Sequence, residues 1–203
     1  MIRLALSLLA LVTLVACGAE SVYAPDDVVA RAAYVDPGPK TITLYTVINN
    51  RSQEGAHSAL MINGSQRVLF DPAGSWFNRH APERNDVIFG MTPTLESFFD
   101  DYHARETFRV RKQTVVVTPE QAEIAIQRAL QEGPVPQARC AWSTSDVLSG
   151  VPGFESIPRT LSPKKLSKSF AKLPGIVEDV EIRDEDPDER GALLNAQNTG
   201  ATQ

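Results

Sequence analysis

The residues of this chain that could carry out chemistry are a cysteine, three histidines and an aspartate. Cys140 lies in the segment QARCAWSTSDVL, and the only other cysteine in the chain is Cys17. A thiol attacks as the thiolate, and its pKa falls in the first turn of a helix or beside an imidazolium. The extended link that ends at Arg139 places Cys140 near a predicted helix start. We therefore predict that Cys140 is a nucleophile.

Other interpretations of Cys140 stay open at this point. Ser143, Thr144 or Ser145 could cap the helix instead, which would leave Cys140 in the preceding loop. Cysteine is also often a small, inert, buried hydrophobic residue. A lone thiol can also form a disulfide between two copies of a chain.

The base that takes the thiol proton would be His57, His80 or His103. His57 opens a predicted strand, where the sheet can aim its ring, whereas His80 lies in a polar loop and His103 ends a predicted surface helix. We therefore favour His57. The wide spacing of the three histidines and the lack of an H-E-x-x-H or C-x-x-C motif predict no metal site, and no cofactor is expected.

Asp71 is the candidate for the third group, which holds the imidazole in its productive tautomer. It ends the predicted strand that follows the one opened by His57, and a tight NGS turn joins the two strands. In a hairpin the end of one strand lies beside the start of the other, so Asp71 returns towards His57. The alternative is that Asp71 only begins the DPAG turn.

The elements that must position these residues follow from hydrophobic periodicity. KTITLYTVIN, AHSALMIN and QRVLFD predict an antiparallel meander over residues 41–71, and TFRVRKQTVVVT predicts a fourth strand. Helices are predicted for TPTLESFFDDYHA, with Thr94 as a possible N-cap, for TPEQAEIAIQRALQEG and for SPKKLSKSFAKLPG.

The N-terminal segment MIRLALSLLALVTLVACGAE is typical of an export signal, with Arg3 before a short apolar run. Its LVAC ending resembles the lipobox of bacterial lipoprotein signal peptides. The resemblance implies cleavage before Cys17 and lipidation of Cys17, which would anchor the protein in the cell envelope. Gly18 resembles the outer-membrane default, on the periplasmic face. A plain secretory leader or an uncleaved anchor is the alternative. In an oxidising compartment Cys140 would then be the odd thiol.

HSALMING and RVLFDP, with CAWSTSDVL far downstream, resemble the circularly permuted papain-like hydrolases. These are permuted relatives of the NlpC-type cell-wall peptidases, and the group includes lecithin retinol acyltransferase. In it a strand-start His comes first, a polar residue follows on the next strand, and the Cys opens a later helix, which is the order of His57, Asp71 and Cys140. The resemblance covers residues 41–150. HSALMI departs from the HVGI-like segment of many relatives, and the third residue varies in the group.

This resemblance implies an α+β fold with a papain-like core, in which an antiparallel sheet of about four to five strands carries the Cys140 helix on one face. It also implies acyl chemistry through a Cys thioester. His57 would take the thiol proton and later protonate the leaving group, and backbone N–H groups at the helix start would meet the oxyanion. The substrate would be a peptide, an amide or a lipid ester. The alternative is a non-catalytic envelope lipoprotein that uses the same fold for binding or scaffolding.

Four regions are expected along the chain: a signal peptide over residues 1–16, a tether over 17–39, a papain-like domain over 40–176 and an acidic tail over 177–203. The tail is polar and highly charged, which predicts disorder beyond about residue 183. The net charge of −5 argues against a basic surface for nucleic acid. The expected partners are a membrane, through the lipid on Cys17, and the substrate.

Overall fold

The computed structural model of the protein describes residue 19 and residues 21–200, so Cys17 and the predicted signal peptide lie outside the described residues. The described residues form six helices and seven strands. In chain order these are α1 (Asp26–Ala32), β1 (Thr41–Asn49), β2 (Gly55–Asn63), β3 (Arg67–Phe70), β4 (Glu83–Arg84), β5 (Val87–Phe89), α2 (Pro93–His103), β6 (Phe108–Val116), α3 (Pro119–Glu132), α4 (Cys140–Ser149), α5 (Pro163–Phe170), β7 (Ile176–Ile182) and α6 (Arg190–Thr199). Among these helices, none combines the length and the apolar character that a membrane crossing requires.

The described strands form one antiparallel sheet in the order β4-β5-β3-β2-β1-β6-β7. The predicted meander is confirmed, because β1 pairs with β2 and β2 pairs with β3. The predicted α+β class is also confirmed, but the sheet has seven strands rather than four to five. Strands β4 and β5 have two and three residues, which is too short for an alternating pattern to be recognised.

Alternate residues of a strand point to opposite sides of the sheet, and here both sides are buried. On one face, Leu44 and Leu60 pack in a cluster with Phe170 of α5 and with apolar residues of α3 and α4. On the other face, Tyr45 packs against Phe99 of α2, with ring centroids 5.4 Å apart. Each such buried side chain contributes roughly 1.5–3 kcal/mol. The central strands are therefore held from both sides, and their ends are rigid platforms for a site.

Three of the six described helices, α2, α3 and α5, begin after a residue whose side chain caps them. At α3 a capping box is present: the Thr118 hydroxyl accepts the Gln121 N–H at 3.2 Å, and the Gln121 side-chain oxygen accepts the Thr118 N–H at 2.7 Å. At α2 the N-cap is Thr92 rather than Thr94. The Thr92 hydroxyl accepts the N–H three residues on, and Pro93 takes the first helical position, where its missing N–H costs nothing.

The acidic segment after residue 176 differs from the expected tail. Strand β7 pairs along β6, and helix α6 packs against α2. Basic side chains of β6 bind the carboxylates of β7: Arg111 binds Asp179 at 2.6 Å and Arg109 binds Glu181 at 3.2 Å. The composition of this segment alone predicts disorder, but its carboxylates are neutralised by basic residues of β6, which is distant in sequence. Within the predicted tether, the segment DDVVARAAYV, whose sequence allows a short helix, contains helix α1.

Candidate active site

The site lies at one end of the sheet, where β2 begins and β3 ends. The hairpin geometry brings Asp71, the residue after β3, back beside His57. Helix α4 packs on β2, and the Thr144 hydroxyl donates to the Ser58 carbonyl at 3.4 Å. This packing places the first residue of α4, Cys140, next to His57. The structure therefore brings all three residues of the predicted constellation together.

His57 is held by a buried contact with Asp71. Its Nε2 lies 2.6 Å from Asp71 Oδ1, and the Asp71 side chain is only 2 % exposed. Burial lowers the pKa of His57, but the charge and hydrogen bond of Asp71 outweigh burial, and contacts with Cys140 add to them. The net effect raises the pKa of His57 from 6.5 to about 10. Because Asp71 occupies Nε2, Nδ1 is the ring nitrogen left to exchange a proton with the thiol.

Cys140 is a thiol whose surroundings favour the thiolate. Burial raises its pKa, but a hydrogen bond and positive charge from His57 lower it, as do the backbone N–H groups of Ser58 and Ala141. The net shift of the Cys140 pKa is downward. The opposite shifts of Cys140 and His57 favour a thiolate–imidazolium pair at neutral pH.

Helix α4 begins at Cys140, so the alternative that leaves this residue in the preceding loop is wrong. Arg139 occupies the N-cap without a side-chain cap hydrogen bond, and Ala138 before it has a positive φ of 65°. The first N–H groups of a helix have no intrahelical acceptor. Those of Cys140 and Ala141 can therefore donate to the oxyanion of a carbonyl group that the thiol attacks.

The turn after β3 fixes the Asp71 carboxylate. The Asp71 carbonyl accepts the Gly74 N–H at 2.9 Å, and Ala73 has a positive φ of 57°. A Cβ atom at Gly74 would lie well inside contact distance of the Asp71 carboxylate. A side chain at this position would therefore push the carboxylate from its place. The two interpretations of Asp71 are both realised, since it begins the turn and also binds His57.

Asp86 joins the Asp71 turn to the segment that precedes Cys140. Its Oδ2 accepts the N–H groups of Ala73 at 3.3 Å and of Val135 at 2.8 Å, and its backbone carbonyl accepts the Asp71 N–H at 2.8 Å. Burial raises the pKa of Asp86, although the amides of Val135 and Ala73 oppose that shift. Asp86 could not be identified from the sequence, because it lies in a polar loop between two very short strands and belongs to no motif.

A cleft of about 300 Å³ opens over Cys140 and His57. Side chains of β1, α2 and α6 complete its walls, among them His103 and Arg190. Cys140 is only 7 % exposed, but it lines this cleft and is reachable from one side.

The expectation that His103 lies on a surface helix is wrong. Its ring is 7 % exposed and stacks on the ring of His57, with centroids 5.8 Å apart and planes inclined by 8°. Burial lowers the pKa of His103 to about 4, and the charge of His57 adds to this shift. His103 is therefore neutral, and its Nδ1 donates to the Phe99 carbonyl at 2.9 Å. His80, by contrast, is exposed and accepts a hydrogen bond from Arg79 at 2.9 Å.

The fold and the site define an α+β protein with a Cys–His–Asp arrangement at one end of an antiparallel sheet. Comparisons with models of protein families, with curated proteins and with solved structures gave no significant match. The chemical interpretation of the site therefore depends on its geometry.

Proposed function

We propose that the protein is a lipid-anchored cysteine hydrolase or acyl transferase of the cell envelope, which acts on an amide or an ester through a thioester on Cys140. The observation that carries this proposal is the buried 2.6 Å contact between His57 Nε2 and Asp71 Oδ1, which leaves the other ring nitrogen, Nδ1, to the thiol. The lipid anchor on Cys17 is proposed from the LVAC segment of the leader. A protein held there would meet peptidoglycan peptides, which makes them candidate substrates.

In the proposed reaction the Cys140 thiolate attacks the substrate carbonyl carbon, and the carbonyl electrons move to oxygen. The N–H groups of Cys140 and Ala141 donate to this oxyanion. When the intermediate collapses, the bond to the leaving group breaks and the imidazolium of His57 gives its proton to that group. The neutral ring then takes a proton from water, or from an acceptor alcohol or amine. The attack of that group on the thioester releases the acyl group and restores the thiol pair.

Trapping of the thioester tests this proposal. Full-length protein in detergent is mixed with p-nitrophenyl acetate, a reactive ester that acylates activated thiols. We expect a burst of nitrophenolate equal to the amount of protein, and peptide mass mapping should place one acetyl group on Cys140. Removal of general-base help in His57→Ala should slow acylation by about 10²- to 10⁴-fold.

The matched controls are Cys140→Ser, which should show no burst, and His80→Ala, which removes an exposed imidazole and should leave the burst unchanged. If the folded protein reacts no faster than an ordinary free thiol, the proposal is wrong. The chain would then be interpreted as a non-catalytic envelope lipoprotein.

A further inference from the structure

Arg190 brings a cation from the last helix into the cleft that holds the thiol. It is the first residue of α6, and its side chain lines the cleft together with Cys140 and His57. The guanidinium Nε donates to the Tyr102 carbonyl at 3.1 Å, and its central carbon lies 5.1 Å from the centre of the Phe108 ring. These contacts fix the direction in which the guanidinium points.

Arg190 keeps donors for a ligand. A guanidinium has five N–H donors, and the bond to Tyr102 uses one. A terminal nitrogen lies 3.1 Å from Asp188 Oδ1, but that oxygen has no hydrogen-bond partner among the described residues, so this contact is an ion pair without hydrogen-bond geometry. Both side chains are just over a quarter exposed, but Asp188 Oδ1 itself is buried, so what weakens the pair is the missing hydrogen bond. A ligand carboxylate can therefore compete with Asp188.

The helix that carries Arg190 is anchored independently of the cleft. The Gln197 side chain accepts the Trp76 indole N–H at 3.2 Å and donates to the Phe98 carbonyl at 3.1 Å. The side-chain oxygen of Asn198 accepts the Arg79 backbone N–H at 2.6 Å. Because these bonds join α6 to both the 76–79 loop and α2, the cation is presented from a fixed wall of the cleft.

The charge of Arg190 acts within the cleft. Burial is the main reason that the pKa of His103 is low, and the positive charge of Arg190 contributes in the same direction. The protein as a whole carries a net charge of −5, which repels anions. A cation at this point makes the local potential more favourable for a carboxylate close to the thiol.

We propose that Arg190 binds a carboxylate of the substrate, so that the cleft selects acyl compounds that carry a carboxylate near the bond to be cleaved. This inference rests on the proposed function, since it names the substrate class of the same site. The planar guanidinium can bind the two oxygens of a carboxylate side by side, which a lysine ammonium cannot do.

Two alkylating agents that differ mainly in charge test the role of Arg190. Iodoacetate and iodoacetamide attack a thiolate with the same leaving group, but only iodoacetate carries a carboxylate. The ratio of their second-order rate constants at Cys140 is measured for the full-length protein. We expect Arg190→Gln to lower this ratio by roughly tenfold, because a charge-assisted hydrogen bond is lost. The effect of His57 on the two rate constants is the same in the wild type and in Arg190→Gln, so it cancels when their ratios are compared.

Three further variants complete the design. Arg190→Lys keeps the charge and should retain part of the iodoacetate preference. Asp188→Asn removes the competing carboxylate and should raise the ratio, and it provides a second readout if Arg190→Gln does not fold. Arg183→Gln is the matched control: this exposed arginine lies in the same part of the chain and pairs with Glu181 outside the cleft, so its loss should leave the ratio unchanged.

The outcomes separate this inference from the proposed function. A reactive Cys140 whose ratio is the same in the wild type, in Arg190→Gln and in Asp188→Asn overturns the carboxylate site alone. A Cys140 that reacts with both reagents as slowly as an ordinary thiol at neutral pH overturns the proposed function, and the substrate class falls with it.

Discussion

At the scale of single residues, two stacked imidazoles have opposite pKa shifts. His57 and His103 are both largely buried, and burial lowers the pKa of each. Only His57 has a carboxylate in hydrogen-bond contact, and that contact raises its pKa to about 10, while the pKa of His103 falls to about 4. The partner, rather than the depth of burial, decides which ring is the imidazolium. His57 is therefore the ring that can exchange protons with Cys140.

The same contact predicts the pH dependence of Cys140. The thiolate is present above the lowered pKa of Cys140, and the imidazolium that stabilises it is present below about pH 10. At about pH 6, well below the ordinary thiol pKa, alkylation of Cys140 by iodoacetamide should therefore be faster than alkylation of an ordinary free thiol. In Asp71→Asn the ring loses its anionic partner, so the pKa of His57 falls and that of Cys140 rises. We expect the rate at pH 6 to drop by roughly 10- to 100-fold.

The measurement is the alkylation rate as a function of pH, followed by mass spectrometry, with the His57 ring titrated by NMR. Asp27→Asn is the control, because this exposed carboxylate pairs with Arg31 on α1 and lies outside the cleft. Identical pH profiles for the wild type and Asp71→Asn would contradict the role given to Asp71.

At the scale of elements, the site is held by connections between a turn, a loop and a helix start. The position of His57 and Asp71 could be predicted from the sequence because both lie on one short hairpin, whose geometry is local. The start of α4 could be predicted within a few residues because the signals for a helix start also lie in neighbouring residues of the chain. His103 and Arg190 could not be assigned, because they line the cleft only once α2 and α6 have folded against the rest of the protein. Asp86 could not be assigned either, because its partner Val135 lies far away in sequence.

Asp86 provides the test at this scale. Asp86→Ala leaves the buried N–H groups of Ala73 and Val135 without their acceptor, which should lower the free energy of unfolding by about 1–3 kcal/mol. It should also slow alkylation of Cys140 at about pH 6, because the Asp71 turn and the segment before Cys140 are no longer joined. Asp86→Asn keeps an oxygen acceptor and should restore most of both properties.

Thermal unfolding and the alkylation rate measure the two effects of Asp86 separately. Asp27→Ala, which removes an exposed carboxylate on α1, serves as the control and should change stability by no more than about 0.5 kcal/mol. An Asp86→Ala protein that unfolds and reacts like the wild type would show that this residue does not hold the two segments together.

At the scale of the whole molecule, the last part of the chain completes both the sheet and the cleft. Strand β7 extends the sheet beyond β6, and α6 supplies the wall that carries Arg190. The central meander could be predicted because its first strand alternates in polarity and the next two are short apolar runs bounded by turn sequences. The closing segment could not, because its stabilising partners, such as Arg111 for Asp179, lie far away in sequence.

The proposed lipid anchor is also a property of the whole molecule. We expect Cys17→Ser to move the full-length protein from the membrane fraction to the soluble fraction or to leave it with its leader attached, because acylation of Cys17 is blocked. Buried acyl carbons contribute about 0.8 kcal/mol each, so the lipid decides the partition. Cell fractionation with metabolic labelling by an alkyne fatty acid measures the effect. Cys140→Ser should remain lipidated and in the membrane fraction, and equal labelling of Cys17→Ser would contradict the anchor.

The acidic residues of β7 affect whether neighbouring molecules pair along the edge of the sheet. This strand forms one edge of the sheet, and three of its seven residues are acidic: Glu178, Asp179 and Glu181. A bare sheet edge invites strand pairing between neighbouring molecules, and like charges along it oppose that pairing. Because Arg111 and Arg109 neutralise Asp179 and Glu181, the charge without an ion pair among the described residues of this edge is that of Glu178, and its exchange for an amide would favour strand pairing between molecules crowded on a surface.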